Sequence, residues 1–306
     1  MGIDGYMREL IEHVPNLNVK VCEPMRDHTT FRIGGPADIW CRPETVNQLI
    51  ETLRFALEKG LPFQIIGKGS NLLVRDGGIR GVVIETTALD RITSLDNNII
   101  EAECGASLNS LALFALENSL TGMEFAFGIP GTVGGAVYMN AGAYGGEMKN
   151  CVIETDYLTM QGEILTLKRD EHLFGYRRSF FTGKPGNVIL RTRVCLSEGD
   201  KNQIHERMQE LKQRRVASQP LQYPSAGSFF KRPEGFYAGK LISDSDLKGF
   251  RCGDAQVSEK HAGFIINIGN ANCSDVILLM EKVQKTVKER FGVDLEPEVK
   301  IIGEDG

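Results

Sequence analysis

A run of twenty residues, GIPGTVGGAVYMNAGAYGGE from Gly128 to Glu147, contains seven glycines. Glycine loses more conformational freedom on folding than any other residue, so an ordered chain keeps it where the backbone turns sharply or closely approaches another group. A flexible linker lacks bulky apolar residues, whereas this run contains Ile129, Val133 and Tyr138. The run therefore predicts an ordered segment whose backbone lies close to a packing neighbour or a ligand.

A second glycine-containing loop, GKGSN from Gly67 to Asn71, follows the apolar run FQII. It offers consecutive main-chain N–H groups with little side-chain obstruction, which is the geometry of an anion nest. Neither loop matches GxxxxGK[ST] or GxGxxG. Within the longer run, residues 130–135 (PGTVGG) predict the start of a short helix whose free N–H groups favour a pyrophosphate. Tight turns and close packing remain the alternative for each loop, whereas a large dinucleotide held across two subdomains uses both.

Composition limits the kind of partner. The 306 residues exceed what one hydrophobic core usually serves, and 35 basic against 40 acidic residues give a formal charge of -5. This balance provides neither the positive electrostatic field that attracts nucleic acid nor a polybasic membrane anchor. We therefore expect small-molecule partners. Seven scattered cysteines without a CxxC pair predict neither a zinc site nor disulfides. With no apolar run of signal or membrane length, we expect a cytoplasmic monomer or weak homo-oligomer.

Periodicity predicts a mixed α+β chain of three subdomains. A helical pattern at 44–60 alternates with the apolar runs FQIIG and GVVIE in the first, 1–88. The second, 89–199, combines strands, a helix, the glycine-rich run and a hairpin around Gln161–Gly162. The third, 200–306, begins with a charged helix, and its segment 295–303 is predicted to return to the first subdomain.

Several motifs occur together in a fixed order: TTFRIGGPADIW, GKGSNLLV, the glycine-rich run, YRRSFF, SAGSFFKRP and LEPEVKIIG. Together they resemble the UDP-N-acetylenolpyruvoylglucosamine reductase family, flavoenzymes of peptidoglycan precursor synthesis. The resemblance spans almost the whole chain. It implies an FAD-binding fold of the vanillyl-alcohol-oxidase (PCMH) type made of two α/β subdomains, plus a C-terminal α+β substrate-binding domain. Only about fifty residues separate Arg177 in YRRSFF from Ser228 in SAGSFFKRP, which resembles the shorter subtype with a more open site.

The resemblance implies FAD, with its pyrophosphate on the first loop and its flavin against the glycine-rich run. No histidine lies in either loop, so we expect non-covalent FAD. NADPH is the implied co-substrate, and without a second dinucleotide motif it is expected to alternate with the substrate at one site. The implied cofactor-binding residues are Gly67, Lys68, Gly69, Ser70, Asn71, Leu72, Pro130, Gly131, Thr132, Gly134, Gly135, Ala136, Asn140, Ala141 and Gly142.

The implied reaction reduces an enolpyruvyl ether to a lactyl ether, which requires a hydride at one alkene carbon and a proton at the other. Reduced FAD carries the hydride. The matching motifs imply that Ser228 donates the proton and that Arg177 and Glu298 stabilise the charge developing on the substrate. An arginine fork suits a carboxylate whose negative charge is growing. Taken singly, without the motifs, the structural alternatives are a turn serine for Ser228, a surface arginine for Arg177 and a salt-bridge partner for Glu298.

Lys231, three residues after Ser228, is a candidate for the substrate diphosphate or a solvated lysine. Further implied substrate contacts are Tyr144, Tyr176 and Gly227. Lys300 and Arg232 depart from the usual family residues, so the contacts of those two side chains are not carried over. Two alternative functions remain at this stage: a sugar or lactone oxidase of the same fold, which uses oxygen, and an inactive sugar-nucleotide binding module without flavin.

Overall fold

The structure is a computed structural model of the chain and describes residues 2–184 and 186–306. The helices within these residues are α1 (Ile3–His13), α2 (Val46–Glu58), α3 (Leu108–Glu117), α4 (Val133–Met139), α5 (Lys201–Ser218), α6 (Ala238–Asp244) and α7 (Cys273–Phe291). The strands are β1 (Asn18–Pro24), β2 (Pro36–Arg42), β3 (Phe63–Ile66), β4 (Leu72–Val74), β5 (Ile79–Glu85), β6 (Ile92–Ser94), β7 (Ile99–Glu103), β8 (Leu120–Thr121), β9 (Gly142–Ala143), β10 (Gly146–Glu147), β11 (Val152–Leu158), β12 (Ile164–Lys168), β13 (Val188–Cys195), β14 (Ser197–Glu198), β15 (Ser225–Ser228), β16 (Arg251–Cys252), β17 (Ala255–Val257), β18 (Phe264–Asn267) and β19 (Lys300–Ile302).

The helix predicted between residues 44 and 60 is confirmed as α2. Thr45 caps its first turn, because the Thr45 hydroxyl accepts a hydrogen bond from the Gln48 N–H at 3.1 Å. Apolar residues spaced three or four apart place one face of α2 inside the protein. No helix in the described part of the chain combines the length and apolar character that a membrane span requires.

The larger sheets have the strand orders β1-β2-β5-β3, β12-β11-β13-β7-β6 and β15-β18-β17-β16. The hairpin predicted around Gln161–Gly162 is confirmed, since β11 and β12 pair antiparallel on either side of it. β3 pairs parallel with β5, and β19 pairs parallel with β4. This mixture of helices with parallel and antiparallel strands agrees with the predicted α+β class.

The chain forms two compact units. The first comprises Met1–Lys20, Trp40–Lys68 and Val82–Arg215, and the second comprises Val21–Ile39, Gly69–Gly81 and Val216–Gly306. The second unit has a hydrophobic core to which α6, α7, β17 and β18 contribute. Within it, β19 pairs with β4, so the end of the chain lies beside residues 72–74. The division into 1–88, 89–199 and 200–306 stays a prediction.

Candidate active site

Gly67 lies against the longer glycine-rich run, and both belong to the first unit. A Cβ on Gly67 would lie 2.3 Å from the Thr132 Oγ1 and 3.0 Å from its Cγ2. Any other residue at position 67 therefore clashes with the Thr132 side chain. The next residue, Lys68, is exposed. The two loops that the sequence suggested for one dinucleotide are thus neighbours at Gly67 and Thr132.

The rest of the first loop belongs to the second unit. Gly69 has φ +58°, and a Cβ there would lie 2.3 Å from the His28 carbonyl oxygen, so glycine is required for two reasons. Ser70, Asn71 and Leu72 are partly exposed. Although neither loop contains a histidine, His28 approaches Gly69 in space. The His28 Nε2 lies 3.0 Å from a carboxylate oxygen of Glu23.

Asn71 connects the first loop to the predicted catalytic carboxylate, within the second unit. The Asn71 Nδ2 donates to the Glu298 carbonyl oxygen at 3.1 Å. In return, the Asn71 carbonyl oxygen accepts from the Lys300 N–H at 2.9 Å. A residue implied for FAD binding therefore also fixes the main chain on either side of Val299.

The short helix predicted in PGTVGG is confirmed as α4, with Thr132 as its cap. Its N–H groups, however, are not free for a pyrophosphate. The Val133 N–H donates to the Ala106 carbonyl and the Gly134 N–H to the Cys104 carbonyl, each at 2.8 Å. The third N–H of the helix donates to the Thr132 hydroxyl at 3.3 Å. The prediction that these N–H groups are free is wrong, because protein acceptors already satisfy them, whereas the contact of residues 130–136 with FAD stays a prediction.

Part of the glycine content serves packing. A Cβ on Gly134 would lie 2.9 Å from the Cys104 Cβ, and one on Gly146 would lie 2.6 Å from the Phe125 ring. A Cβ on Gly145 would meet nothing within 4 Å. Among the implied cofactor residues of this run, Pro130 and Gly135 are exposed, Gly131, Ala141 and Gly142 are partly exposed, and Thr132, Gly134, Ala136 and Asn140 are buried.

Asn140 ends α4 in the left-handed backbone conformation, with φ 45° and ψ 57°. Its Nδ2 donates to a carboxylate oxygen of Glu147 at 2.7 Å and to the Gly175 carbonyl oxygen at 3.1 Å. Its Oδ1 accepts from the Lys149 N–H at 3.0 Å. Both amide hydrogens are thus engaged by the protein. This geometry favours a positioning role for Asn140, and its contact with FAD stays a prediction.

Arg177 lies in a tight turn of the first unit. Gly175 and Arg178 exchange both main-chain hydrogen bonds, at 3.0 and 3.2 Å. Arg177 has φ +54°, an uncommon conformation for a residue other than glycine and one that costs free energy unless its surroundings impose it. The guanidinium carbon lies 5.2 Å from the centre of the exposed Tyr176 ring. The turn presents Tyr176 and Arg177 side by side.

Two side chains hold the chain on either side of this turn. After it, the Ser179 hydroxyl donates to the Tyr138 carbonyl oxygen at 2.8 Å. Before it, the buried His172 ring stacks on Phe174 with ring centres 4.9 Å apart. The His172 Nδ1 lies 3.1 Å from two main-chain carbonyls and its Nε2 lies 2.8 Å from the Thr155 hydroxyl. Burial lowers the pKa of His172 below its ordinary value.

Arg215 is a functional candidate that the sequence prediction missed. The side chains of α5 that turn inward are Ile204, Met208, Leu211 and Arg215, so the arginine occupies the fourth position of an apolar stripe. It is only 7% exposed. The sequence does contain the signal, since helical spacing assigns residue 215 to the buried face, where a charged residue is exceptional.

The surroundings of Arg215 belong to the glycine-rich run. Its guanidinium carbon lies 5.4 Å from the centre of the Tyr144 ring, and its Nε lies 3.4 Å from where a Cβ on Gly128 would be. Its Nε and Nη2 are buried without a hydrogen-bond partner anywhere in residues 2–184 and 186–306. Burial lowers the pKa of Arg215, and Tyr144 partly opposes that change. Tyr144 itself has φ +53° and is exposed.

In the second unit, Ser228 ends β15 opposite Phe264 of β18. The preceding Gly227 has φ +77°, and a Cβ there would meet nothing within 4 Å, so this side of the strand is open. Ser228 is exposed whereas Phe229 and Phe230 are buried, with ring centres 5.2 Å apart. The hydroxyl therefore lies at the edge of an aromatic core, as the sequence suggested.

Main-chain hydrogen bonds bring the segments of Ser228 and Glu298 together. The Phe229 N–H donates to the Gly263 carbonyl oxygen, and the Phe229 carbonyl oxygen accepts from the Glu298 N–H, both at 2.8 Å. The Lys231 N–H donates to the Glu296 carbonyl oxygen at 2.8 Å. Residues 228–231 thus run beside residues 296–298, and the two candidate catalytic residues lie on adjoining segments.

The charged neighbours of this pair have protein partners. The Lys231 ammonium forms an ion pair with the Glu296 carboxylate, so a substrate phosphate at Lys231 has to share or displace that carboxylate. The Arg232 guanidinium carbon lies 4.0 Å from the centre of the Tyr237 ring, and Lys300 is exposed. The contact of Lys231 with the substrate diphosphate therefore stays a prediction.

Two family models match the chain. Residues 37–168 match an FAD binding domain, and residues 219–302 match the C-terminal domain of UDP-N-acetylenolpyruvoylglucosamine reductase. The first match contains both glycine-rich loops, and the second contains Ser228 and Glu298.

Individual proteins agree with these matches. A UDP-N-acetylenolpyruvoylglucosamine reductase of Geobacillus kaustophilus is 52% identical over 298 residues, 97% of each chain, and one of Clostridium kluyveri is 50% identical over 94% of each. The crystal structure of the reductase from Thermus caldophilus has a TM-score of 0.79 at 34% identity and covers 94% of this chain and 99% of its own. A berberine bridge enzyme variant has a TM-score of 0.50 at 15% identity, covers 64% of this chain and 44% of its own, and shares the fold alone.

Proposed function

Because the chain belongs to the UDP-N-acetylenolpyruvoylglucosamine reductase family, we propose that it reduces the enolpyruvyl group of UDP-N-acetylglucosamine enolpyruvate to the lactyl ether of UDP-N-acetylmuramate. It is an FAD-dependent oxidoreductase that acts on small molecules. The observation that carries the proposal is the Glu298 N–H to Phe229 carbonyl hydrogen bond of 2.8 Å, which sets Glu298 beside the Ser228 strand.

Residues of the first unit fit FAD. Gly67 has no space for a side chain beside Thr132, and this close packing holds the first loop against the glycine-rich run. Two buried nitrogens of Arg215 have no acceptor within residues 2–184 and 186–306. Bound FAD supplies hydride transfer between a nicotinamide and the substrate. We expect it to be non-covalent, because neither loop contains a histidine and the His28 ring nitrogen bonds to Glu23.

Each catalytic side chain has a separate task. The Arg177 guanidinium holds the substrate carboxylate, whose negative charge increases when hydride reaches the alkene carbon that does not bear the carboxylate. The Ser228 hydroxyl donates a proton to the other carbon as a positioned acid. Glu298, with its carboxyl protonated, donates a hydrogen bond to the same charge-bearing group. These roles rest on the family motifs, on the open side of Gly227 and on the fixed main chain around Ser228.

The remaining features of the proposal concern the substrates and the setting. Lys231 contacts the substrate diphosphate, and Tyr144, Tyr176 and Gly227 line the substrate path. NADPH reduces FAD and leaves before the enolpyruvyl substrate enters. We propose that the enzyme works in the cytoplasm as a monomer or weak homo-oligomer whose partners are small molecules, in agreement with its formal charge of -5.

The decisive experiment follows the flavin spectrum of the purified protein under anaerobic conditions. NADPH is expected to bleach the absorbance of oxidised FAD, and the enolpyruvyl substrate is then expected to restore it with one lactyl product per flavin. Restoration by oxygen but not by the substrate would favour a sugar or lactone oxidase instead. Absence of flavin from the protein would favour a sugar-nucleotide binding module.

Two further measurements test the finer claims. Acid precipitation is expected to release the yellow chromophore into the supernatant, whereas colour in the pellet would indicate a covalent bond. Initial-rate plots against NADPH at several substrate concentrations are expected to be parallel, because the two ligands alternate at one site. Intersecting lines would contradict alternation but leave the reductase activity intact.

A further inference from the structure

Arg215 lies where an apolar residue is expected. It continues the inward-facing stripe formed by Ile204, Met208 and Leu211 on α5, and only 7% of its surface is exposed to water. Its position in the last turn of the helix gives it some favourable interaction with the partial negative charge there. That interaction leaves the hydrogen-bonding capacity of its Nε and Nη2 unused.

A buried cation with unfilled donors is costly. Charged groups in protein interiors are normally paired, because burial removes their hydration. Arg215 contacts the Tyr144 ring at 5.4 Å, and a cation–π contact of this kind recovers part of the lost hydration. No acceptor reaches Nε or Nη2 from the described ranges 2–184 and 186–306. The site is therefore complete only when an anionic or carbonyl-rich ligand supplies the acceptors.

The neighbours of Arg215 indicate which ligand this is. Gly128 and Tyr144, which flank the guanidinium, lie near the two ends of the glycine-rich run. A planar fork of N–H donors suits adjacent acceptors on a flat group better than it suits a single point charge. Gly128 leaves its side of the guanidinium without a side chain, so a flat ring system can approach closely.

We propose that Arg215 is a flavin-binding residue, whose Nε and Nη2 donate to the carbonyl and ring nitrogen of the isoalloxazine that gain negative charge on reduction. The inference rests on the proposed function. Arg215 then stabilises reduced FAD more than oxidised FAD, because a fixed positive charge interacts more favourably with the more negative form.

The test compares Arg215→Met with Arg214→Met. Arg214 is the adjacent residue of α5, lies on its exposed side and pairs with Glu210. We expect Arg215→Met to weaken binding of reduced FAD at least tenfold more than binding of oxidised FAD. That ratio lowers the midpoint potential of the bound flavin by at least about 30 mV, since a tenfold change equals 29.6 mV for two electrons. Arg214→Met is expected to leave the potential unchanged.

Thermal unfolding gives a second, independent signature. Removing a buried unpaired charge is expected to raise the melting temperature of the FAD-free protein and to reduce the extra stability that FAD confers. If Arg215 only stabilised the fold, Arg215→Met would instead lower the melting temperature of the FAD-free protein. If Arg215→Met does not accumulate, Arg215→Lys serves instead, with an intermediate fall in potential because it keeps the charge and loses the fork.

An unchanged potential in Arg215→Met would overturn the inference. If the same variant instead bound UDP at least tenfold more weakly, the acceptor would be a substrate phosphate and the flavin assignment would be wrong. The potential is measured on flavin-loaded protein without substrate. Wild-type protein that binds no FAD would defeat the proposed function itself, whereas an active wild type with an insensitive Arg215→Met would defeat this inference alone.

Discussion

The turn that presents Arg177 and the strand that presents Ser228 are stabilised in different ways. Main-chain hydrogen bonds of 2.8 Å to residues 263 and 298 fix the Ser228 strand, and these do not depend on side-chain identity. The Arg177 turn has a positive φ at Arg177 itself and is held by the side chains of Asn140, Ser179 and His172.

The difference predicts how each region responds to substitution. A side chain on the Ser228 strand can be removed with little movement of the backbone, so its loss reports on chemistry. The conformation of the Arg177 turn depends on distant side chains, so substitutions outside the site are expected to change the position of the guanidinium. A displacement of about 1 Å can cost up to 10²-fold in rate.

The largest expected effect is that of Ser228→Ala. Reoxidation of reduced flavin by the enolpyruvyl substrate is expected to slow by about 10²–10⁴-fold, because a positioned acid is lost. Flavin reduction by NADPH is expected to stay within about twofold, since that step takes no proton from Ser228. Stopped-flow measurement of each half-reaction, normalised to bound flavin, checks both values.

Ser225→Ala is the matched control, because Ser225 begins the same strand. It is expected to leave both half-reactions unchanged. Equal slowing of both half-reactions in Ser228→Ala would indicate that this strand is as easily distorted as the Arg177 turn. That result would remove the contrast between the two regions.

The next effect, in order of size, concerns Asn140→Ala. The substitution removes the donor to the Gly175 carbonyl and frees the turn, so kcat is expected to fall by about 10- to 100-fold. Asn150→Ala is the control, since the Asn150 side chain accepts from the Glu147 N–H and this hydrogen bond stays within the loop rather than reaching the turn. Flavin content of each variant separates lost positioning from lost FAD.

A double-substitution test sharpens this point. If Asn140 acts through Arg177, Asn140→Ala is expected to have less than about a twofold effect on kcat in an Arg177→Met background, because coupled residues are not additive. Full additivity of the two substitutions would show that Asn140 influences the reaction by another route, such as its predicted contact with FAD.

The smallest effect is a pH dependence of stability at the base of the Arg177 turn. The pKa of His172 is lowered by burial, so the unfolded chain binds more protons than the folded one just below the ordinary value of 6.5. The free energy of unfolding is therefore expected to fall as the pH drops below about 6.5, by at most about 1.4 kcal/mol per pH unit. Urea unfolding at pH 7.5 and 5.5 measures this change.

His172→Gln is expected to remove this part of the pH dependence, because glutamine does not titrate. His205→Gln provides the control, since His205 is exposed on α5. If the free energy of unfolding changes between the two pH values by the same amount in the wild type and in His172→Gln, protonation of His172 does not affect the stability of the turn.

Local patterns predicted much of this molecule. The spacing of apolar residues predicted α2, and glycine between two alternating runs predicted the β11–β12 hairpin, because both signals lie within one element. The requirement for glycine at positions 67 and 69 also follows from a loop after a strand. The structure adds the clashing partners, Thr132 and His28.

Other features depended on residues distant in sequence. The N–H groups at the start of α4 were predicted to be free, but carbonyls of residues 104 and 106 occupy two of them, and no local pattern identifies those acceptors. Arg215 was not predicted, because α5 is rich in charged residues and a buried arginine cannot be told from its exposed charged neighbours by residue type. The proximity of Ser228 and Glu298 came from the resemblance, since spacing alone does not indicate it.

The pairing of β4 with β19 has a consequence for synthesis of the chain. Asn71 and Glu298, which bond beside these strands, are 227 residues apart, and at about 5–20 residues per second the ribosome needs on the order of 10 to 45 s to make the intervening chain. For most of that interval residues 69–81 have already been synthesised but lack their partner strand. We therefore expect nascent chains stalled before residue 296 to be cut by protease within residues 69–81, whereas released chains resist.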